Sequence, residues 1–409
     1  MREMRESGIE WLEDIPSHWK VMPNKRVMKK KKEICPQYQG EDILSLTMNG
    51  VIVRDLNAGG KMPATFDGYQ RLTAGNLLMC LFDIDVTPRC IGLIKNTGLS
   101  SPAYSQFVVN EKGYAPYYYY YYLNLDHTKE LLHMAKNLRH SLTEDQLGEI
   151  SVAVPPYAEQ VQIVEALEKK LPKVDTLIAN VQAQIEKLKA YKQSLITEVV
   201  TKGLDPNVPM KDSGVEWIGS IAENFQILRL KNVAEILDQF RKPITADLRS
   251  QEGDVLYDYY GASGAIDKID GYTIDDHVML IGEDGANLKM RNLPLMYEVR
   301  GKAWINNHAH ILKPKDNVLF YYLLYALEGL DINPYITGSA QPKLNQENLK
   351  VIQIPVPQLD VQAEIVKFIL EKHKQIDRLI AIKEAKIEKL EQYKKSLIYE
   401  YVTGKKEVH

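Results

Sequence analysis

Cysteine is scarce in this sequence, and long apolar runs are missing from it. The 409 residues contain three cysteines, and the uneven spacing of Cys35, Cys80 and Cys90 suits neither a disulfide framework nor a zinc site. We therefore expect a reducing compartment, the cytoplasm. No stretch approaches the roughly eighteen apolar residues of a membrane span. The opening MREMRESGIEWLED is too charged for a signal peptide.

The motifs of several common catalytic sites are also missing. The sequence has no G-x-x-x-x-G-K phosphate loop, no G-x-S-x-G nucleophile elbow and no H-E-x-x-H zinc helix. Val154-Pro155-Pro156-Tyr157 lacks the leading Asn or Asp that holds the target amino group in adenine methyltransferases, so we interpret it as a strand stopped by proline. His308-Ala309-His310 has no cysteine or acidic companion close by, which favours a polar contact over a metal site.

The composition is that of an ordinary globular protein. With 45% apolar and 26% charged residues, a chain of this length should hold two or more domains. The formal net charge is −3, so any surface that binds nucleic acid must be a local basic patch offset by acidic faces elsewhere.

One stretch occurs twice. Residues 185–203, IEKLKAYKQSLITEVVTKG, return as residues 387–405, IEKLEQYKKSLIYEYVTGK, with 12 of 19 positions identical. Apolar residues recur every three or four positions, which predicts a helix with one apolar stripe. Two such helices are predicted to pair as an antiparallel coiled coil. Pro172 predicts a break near residues 170–172, whereas Lys374, at the equivalent place, allows an unbroken second helix.

The repeat extends beyond these helices. SGIEWL at 7–12 returns as SGVEWI at 213–218, and LTEDQL at 142–147 returns as LNQENL at 344–349. Each half therefore predicts a lead-in with a tryptophan, a globular domain, a strand ended by proline and a long helix. The predicted boundaries give residues 1–20 as lead-in, 21–156 as the first globular domain, 157–211 as the central long-helix spacer, 212–358 as the second globular domain with its lead-in, and 359–409 as the C-terminal long-helix spacer.

The interiors of the two halves differ from each other, although both predict mixed strands and helices. Short β-like runs are predicted at 42–46, 77–82, 90–94 and 106–109, and again at 278–281, 295–299 and 309–312. A helix follows in each half, and residues 116–123 (PYYYYYYL) align with 318–325 (VLFYYLLY) at a spacing of 202. Six consecutive tyrosines suggest a base-stacking platform, but the leucine-rich copy favours a packed helix with some rings at its edge.

Basic and amide side chains gather in both interiors. Arg and Lys suit guanine edges, Asn and Gln suit adenine edges, and all of them can hold phosphate. Each cluster alone also fits an ordinary solvated face. Residues 139–141 and 341–343 occupy the same place in the repeat, which raises the odds that both are DNA-contact loops. The candidate DNA contacts from these clusters are Arg54, Lys61, Arg71, Arg89, Lys95, Asn96, Arg139, His140, Arg241, Lys242, Lys289, Arg291, Asn306, Asn307, His308, Gln341 and Lys343.

The whole chain resembles the specificity subunit of type I restriction-modification systems. The resemblance rests on GIEW at 8–11 and GVEW at 214–217, on the exits at 152–155 and 354–357, and on the two YKxSLIxExVT helices. In the second interior, YYGASG, GEDGAN, NNHAH and GSAQPK resemble target-recognition blocks of that family, which adds Tyr260, Ser263 and Ser339 to the candidates. The first interior has NLRHS at 137–141 in place of the last block.

The resemblance implies an α+β fold: two mixed α/β target-recognition domains joined by two long antiparallel coiled-coil helices, with a pseudo-twofold internal repeat. It implies a DNA reader without catalysis of its own, in which each domain reads one half of a split target and the helices fix the spacing. Gln341 is expected to meet an adenine edge and Lys343 a phosphate.

The implied partners are double-stranded DNA, two modification (methyltransferase) subunits and restriction (translocase and nuclease) subunits, with no membrane. No cofactor is expected in this chain. S-adenosylmethionine belongs to the modification subunit, and ATP and Mg belong to the restriction subunit.

Three other hypotheses remain open. A coiled-coil scaffold that binds only proteins would bind independently of salt, unlike a protein that contacts phosphates. A standalone DNA methyltransferase is disfavoured by the missing glycine-rich cofactor loop. A specificity subunit of a related system that cuts on both sides of its site is a close variant.

Overall fold

The computed structural model describes residues 2–58, 63–135, 140–216, 218–246, 249, 253, 255–339 and 341–408. The chain forms two compact units, residues 1–182 with 385–409, and residues 183–384. Both boundaries fall inside long helices, so each unit holds one globular domain and one segment of each helix. Within the described ranges, no helix combines the length and the apolarity needed to cross a bilayer.

The globular part of the first unit is built from short antiparallel strands. The largest sheet has four strands in the order β4-β11-β8-β9, and its edge strand β4 carries three lysines in a row, a composition that discourages pairing with another chain. Two-stranded sheets join β1 to β2, β3 to β12, β5 to β6 and β7 to β10. The strands are β1 (Met4–Glu6), β2 (Asp14–Pro16), β3 (Lys20–Pro23), β4 (Met28–Lys31), β5 (Leu44–Thr47), β6 (Gly50–Val53), β7 (Gln70–Leu72), β8 (Leu77–Met79), β9 (Ile91–Leu93), β10 (Gly98–Ser100), β11 (Ser105–Val109) and β12 (Ser151–Val154).

Three helices and the start of a fourth complete this part of the chain. They are α1 (Ala115–Thr128), α2 (Glu130–Met134), α3 (Glu144–Glu149) and the long α4 (Tyr157–Lys202). Thr143 starts α3 with a capping box, because its hydroxyl accepts from the Gln146 backbone while the Gln146 side chain accepts from Thr143. The predicted strand that ends at proline is confirmed by β12.

The second unit contains one larger mixed sheet. Its six strands follow the order β16-β21-β19-β20-β17-β18, in which β17 and β20 are parallel neighbours and the other pairs are antiparallel. The elements are β13 (Met210–Asp212), β14 (Ser220–Ala222), β15 (Gln226–Arg229), α5 (Leu230–Val233), β16 (Ala234–Ile236), β17 (Tyr257–Gly261), β18 (Gly264–Ile269), β19 (Ile274–Gly282), α6 (Asn287–Met290), β20 (Met296–Ile305), β21 (Ala309–Pro314), α7 (Phe320–Gly329), α8 (Gln346–Val351), β22 (Gln353–Val356) and α9 (Leu359–Val402).

The two long helices run antiparallel within each unit, as predicted. In the first unit Lys394 pairs with Asp175, and the Lys170 ammonium lies 5.5 Å from the Tyr401 ring centre. In the second unit Lys192 lies 2.8 Å from Asp377 and Lys383 lies 2.6 Å from Gln184. Apolar side chains fill the space beneath these contacts. The buried residues on the two helices include Ile163, Leu167, Leu171, Val181, Ile185, Leu195, Val199, Ile365, Ile369, Ile376, Leu397 and Val402.

The predicted break at Pro172 is wrong, because α4 is one continuous helix with this proline in its interior. An internal proline costs about 3 kcal/mol through a lost hydrogen bond and a steric clash. Leu171 and Val174, on either side of it, are buried, and each such side chain contributes about 1.5–3 kcal/mol on burial. Packing of the stripe therefore outweighs the local penalty. The unbroken course predicted for the second helix is confirmed by α9.

The tyrosine run forms a packed helix, as predicted, but its alignment with the second half at a spacing of 202 is wrong by three residues. Tyr117 donates to the Val402 carbonyl at 2.9 Å, and Tyr322 donates to the Val200 carbonyl at 3.3 Å. The two valines are 202 residues apart, whereas the tyrosines are 205 apart. Four rings of the run are buried, and Tyr119 and Tyr120 lie at its edge.

Candidate nucleic-acid interface

Four turns of the second unit meet at one edge of its domain. The amide of Asn306 donates to the Tyr260 carbonyl at 3.1 Å, which joins the β20–β21 turn to the β17–β18 hairpin. Glu283 donates its amide to the His308 carbonyl at 2.8 Å and accepts from the Leu344 amide at 2.7 Å. These bonds bring together the turns at 261–264, 282–286, 306–308 and 337–343. Residues up to about 80 positions apart in the sequence therefore lie on one surface, which we call the loop cluster.

Glycine is required where two of these turns approach closely. A side chain at Gly282 would place its Cβ 2.7 Å from the Ala262 carbonyl oxygen. This oxygen belongs to the backbone, which cannot move aside as the end of a flexible side chain can. Gly338 has a φ of +81°, and a Cβ there would lie 2.3 Å from the Gln341 carbonyl oxygen. Thr337 and Lys343 exchange two backbone hydrogen bonds of 2.8 Å across the base of this last turn. The predicted tight loop is present, with Ser339 and Gln341 exposed on it.

A charged network lies behind the exposed loops. The Glu283 carboxylate contacts Arg241 at 2.5 Å through one oxygen and Lys343 at 3.1 Å through the other. Burial raises the pKa of Glu283, but the hydrogen bonds from Arg241 and Lys343 outweigh it and hold that pKa below its ordinary value. Arg241 also contacts Asp238 at 3.2 Å and donates to the Asn307 carbonyl at 3.3 Å. The network thus fixes the turn at 306–308 from beneath.

His310 completes the network. It is fully buried, with Nδ1 2.6 Å from Asp238 and Nε2 2.8 Å from the Leu344 carbonyl. Burial raises the pKa of Asp238, yet the bonds from His310 and the Ile311 amide, with the charge of Arg241, hold it below its ordinary value. The Asp238 side chain is therefore ionised, and both ring nitrogens of His310 face acceptors.

The structure favours the polar-contact interpretation of His308 and His310 over a metal site. His308 pairs with Asp284 at 2.7 Å and His310 with Asp238, so the acidic companions that sequence spacing did not show are present in space. Even so, in the part of the chain that the structure describes, no group of three or more His, Cys, Asp or Glu residues is arranged to hold a metal ion.

Comparison with known proteins finds similarity to one family. Residues 222–392 match the family model described as the type I restriction modification DNA specificity domain. A Methanocaldococcus jannaschii protein, named as the MjaX type I restriction enzyme specificity subunit, is 29% identical over 304 residues, which is 70% of this chain and 68% of that protein. A Haemophilus influenzae protein with the name of a type I specificity subunit is 36% identical over 140 residues, 34% of this chain and 35% of that protein. The chain is thus similar over most of its length to a type I restriction enzyme specificity subunit, and residues 222–392 match the DNA specificity domain of that family.

Solved structures share the fold of this chain. A chain from a structural study of assembly and conformational transition of the type I restriction-modification system matches with a TM-score of 0.69 at 14% identity, covering 95% of this chain and 98% of that one. The HsdS subunit of Thermoanaerobacter tengcongensis matches with a TM-score of 0.50 at 15% identity, covering 95% and 98%. The predicted fold, two mixed target-recognition domains with long antiparallel helices, is confirmed.

The structure separates the remaining candidates of the second recognition domain into exposed and structural residues. Ser263, Lys289 and Asn307 are exposed. Lys242 is exposed too, and its ammonium lies 5.6 Å from the Trp304 ring centre. Tyr260 is half-buried and Asn306 is buried, where its side-chain oxygen accepts from the His308 amide. These positions leave DNA contact a prediction for the exposed set.

Arg291 and Arg241 have structural roles in this arrangement. Arg291 donates to the Glu328 and Leu330 carbonyls, at 2.9 and 2.8 Å, at the end of α7. Burial lowers the pKa of its guanidinium. Arg241 is held by two carboxylates. Both guanidinium groups donate hydrogen bonds within the domain, which disfavours these residues as contacts to DNA bases.

The candidates of the first recognition domain do not form a comparable cluster among the described residues. Arg71 contacts Glu41 at 3.0 Å and Glu33 at 3.6 Å, and the Glu41 hydrogen bond raises the pKa of Arg71. Arg89 and Lys95 line a cleft of about 870 Å³ with Tyr119 and Tyr120. Lys95, Asn96 and His140 are exposed, and Arg54 is half-buried. Lys61 and Arg139 lie outside the described residues.

Sequence reasoning missed the roles of three residues at or beside the loop cluster. Asp238, Glu283 and Trp304 stand 42 to 72 residues from their partners His310, Arg241 and Lys242, and no motif contains Asp238 or Trp304. The GEDGAN block contained Glu283 and was the only signal for it.

Proposed function

We propose that this chain is the non-catalytic subunit that gives a type I restriction-modification complex its DNA sequence specificity. Each recognition domain reads one half of a bipartite target. Four turns that converge on one exposed polar surface in the second domain are the single observation that carries the proposal. Gln341 on this surface has the donor and acceptor that pair with an adenine edge, and Asn307 offers the same groups next to it.

The two long helices would set the number of unread base pairs between the half-sites. With 46 residues, α4 is about 69 Å long, and half-sites one turn apart on one face lie about 34–36 Å from centre to centre. The continuous course of α4 through Pro172 supports a stiff rod. A rod of this kind holds a distance better than two segments joined by a break.

The helices also offer two equivalent faces for modification subunits. Leu177 and Leu379, which are 202 residues apart, are 49% and 47% exposed, and Tyr191 and Tyr393 are both 52% exposed. The Asp175–Lys394 pair brings Leu177 and Tyr393 near each other in the first unit, and the Lys192–Asp377 pair does the same for Tyr191 and Leu379 in the second. Exposed apolar pairs that repeat with the chain suit two copies of one partner.

The chemistry belongs to the partners in this proposal. The modification subunits bind S-adenosylmethionine and methylate adenine, and the restriction subunits bind ATP and Mg and then translocate and cut. This chain contributes DNA binding and geometry. A protein-only scaffold, or a specificity subunit of a system that cuts on both sides of its site, would make different predictions in the experiment below.

Methylation mapping tests the proposal directly. The full chain is expressed with the modification subunit of the source genome in a host without adenine methylation, and N6-methyladenine is mapped. One split motif with a fixed spacer is expected, and replacing residues 234–339 with those of another family member should change one half of it only. No methylation motif, or a motif that changes in both halves, would contradict the proposal. Adding the restriction subunit then shows where cutting occurs and distinguishes the variant system.

A further inference from the structure

Lys343 and Arg241 share one carboxylate, but they hold it in different ways. Lys343 is 52% exposed at its side chain, whereas Arg241 and Glu283 are 17% and 15% exposed. An ion pair with this much solvent contact contributes about 0–1 kcal/mol. A DNA phosphate can therefore replace the carboxylate as the partner of the Lys343 ammonium at little cost.

The contacts of Arg241 are harder to replace than the single ion pair of Lys343. Its guanidinium contacts Glu283, Asp238 and the Asn307 carbonyl at once. Removing one partner of a buried pair leaves an uncompensated charge and costs about 3–5 kcal/mol. Arg241 therefore stays in place, and Lys343 is the releasable cation of the network.

Lys343 lies at the exposed edge of the network. Asp238 and Glu283 supply its two carboxylates, and Arg241 contacts both of them. Lys343 contacts Glu283 from the exposed side and lies two residues from Gln341. The backbone of Lys343 is fixed by its two bonds to Thr337 and a bridge to Asp284, so only its side chain can move.

We propose that Glu283 acts as a latch that keeps Lys343 from DNA until the loop cluster sits on a matching half-site. This inference rests on the proposed function, because it assigns a regulatory role at the same surface. On unmatched DNA, Gln341 finds no adenine edge, the loop stays further from the backbone, and Lys343 remains on Glu283. On a matched half-site the loop seats, a phosphate comes within reach, and Lys343 exchanges partners. Glu283 is thus a positioning residue that lowers non-specific binding.

The latch predicts an effect on salt dependence that a structural role would not produce. Each phosphate contact adds about 0.9 to the slope of log affinity against log salt, or about three- to fourfold over a fourfold change in salt. Glu283→Gln keeps the shape of the side chain, and its amide oxygen can still accept from Arg241, but its NH2 group no longer accepts from Lys343. The slope on unmatched DNA should steepen by about one contact, while the slope on target DNA stays the same.

The experiment uses the full chain assembled with its modification subunit and two duplexes, the mapped target and a scrambled version. Affinity is measured by fluorescence anisotropy between 50 and 200 mM salt. Lys343→Gln should lose one contact on the target only, and the double variant should lose the gain made by Glu283→Gln. Glu347→Gln is the matched control, because Glu347 pairs with Lys350 at 2.7 Å on α8 outside the loop cluster.

The outcomes are distinguishable. Equal changes on both duplexes for Glu283→Gln, no change, or the same change in Glu347→Gln would overturn the latch while leaving the proposed function intact. A wild-type complex that does not distinguish the two duplexes at any salt would overturn both. If Glu283→Gln lowers the melting temperature so far that it cannot be assayed, Lys343→Gln decides alone, and an equal loss of slope on both duplexes counts against the latch.

Discussion

Lys192 donates to Asp377 at 2.8 Å in the second unit, and the residues 202 positions away make the same pair, Lys394 to Asp175 at 2.5 Å, in the first. The repeat therefore extends to individual ion pairs between the two helices. Each unit combines the first part of one long helix with the last part of the other, and an antiparallel pair does this naturally. The two ion pairs thus mark equivalent points of contact between the long helices, one in each unit.

The apolar stripe should matter more for stability than these ion pairs. Leu397 is fully buried in the core of the first unit, so Leu397→Ala should cost about 2–5 kcal/mol. Lys394→Ala should cost about 1 kcal/mol or less, since its pair is solvated. Calorimetric melting of both variants makes the comparison. A larger loss for Lys394→Ala would contradict a helix pair held by its apolar stripe.

The spacing role predicts a change in the target after matched insertions. Seven residues added after Gln182 and after Glu384 keep the stripe in phase and lengthen the pair by about 10 Å, or about three base pairs. These positions face each other, as the Gln184–Lys383 bond shows. The methylated motif should keep both halves and gain unread bases. Insertion in one helix alone is the control and should abolish activity; an unchanged spacer in an active double insertion would disprove the spacing role.

Local patterns in the sequence predicted the elements well. The stripe of α4 and α9 and the strand ended by proline depend on side chains close in sequence, where spacing alone decides the structure. The repeat in sequence is also a repeat in contacts, because the duplicated residues Gln160 and Gln362 accept from the amides of Tyr114 and Leu319 at 2.7 and 2.8 Å.

The failures come from tertiary contacts. Pro172 stays helical because its neighbours are buried, and sequence does not report burial. The three-residue shift of the tyrosine helix follows from bonds such as that of Tyr322 to Val200. Likewise, Lys189 and Glu391 occupy equivalent positions in the repeat but do not face each other across the helix pair. Insertions placed at these two positions would therefore not lie side by side in the structure. The charged network around Glu283 joins residues that no local pattern connects.

Two half-buried histidines should make stability depend on pH. Burial, followed by the charges of Lys395 and Lys192, lowers the pKa of His127 and of His373 to about 4. Both rings are therefore neutral in the folded chain, whereas in the unfolded chain they take up protons below about pH 6.5. The free energy of unfolding therefore does not depend on these two rings above about pH 6.5, and it decreases as the pH falls from there toward 4.

Calorimetry between pH 5.5 and 8 measures this effect in a range where most carboxylates stay ionised. The melting temperature should fall below pH 6.5, and His127→Gln with His373→Gln should flatten the profile. A double variant with the same pH profile as the wild type would show that these rings do not cause the loss.

The repeated apolar pairs predict how the complex should assemble. Alanine at Leu177 and Tyr393 removes the exposed pair of the first unit, and alanine at Leu379 and Tyr191 removes that of the second. Either double variant should bind one modification subunit in place of two, and the quadruple variant none, as counted by native mass spectrometry. Leu293→Ala, an exposed leucine of the second recognition domain, is the control. Loss of both subunits from one double variant would contradict two independent faces.

Gln341 provides the sharpest test of base reading. It is exposed on the closing loop, whose base is fixed by the two backbone bonds between Thr337 and Lys343. Gln341→Ala removes both groups that pair with an adenine edge and should cost about 1–3 kcal/mol of binding. The loss should relax the second half-site only.

Binding to duplexes mutated in one half at a time measures the effect, with the exposed Gln375→Ala on α9 as control. If the loop only closes the domain, Gln341→Ala will lower the melting temperature and leave the affinity of the folded protein unchanged. Relaxation of the first half-site would mean that the domains are assigned to the wrong halves. Because the loop is fixed by backbone bonds, truncation beyond Cβ should leave its fold intact, so a change confined to one half-site reports contact with DNA.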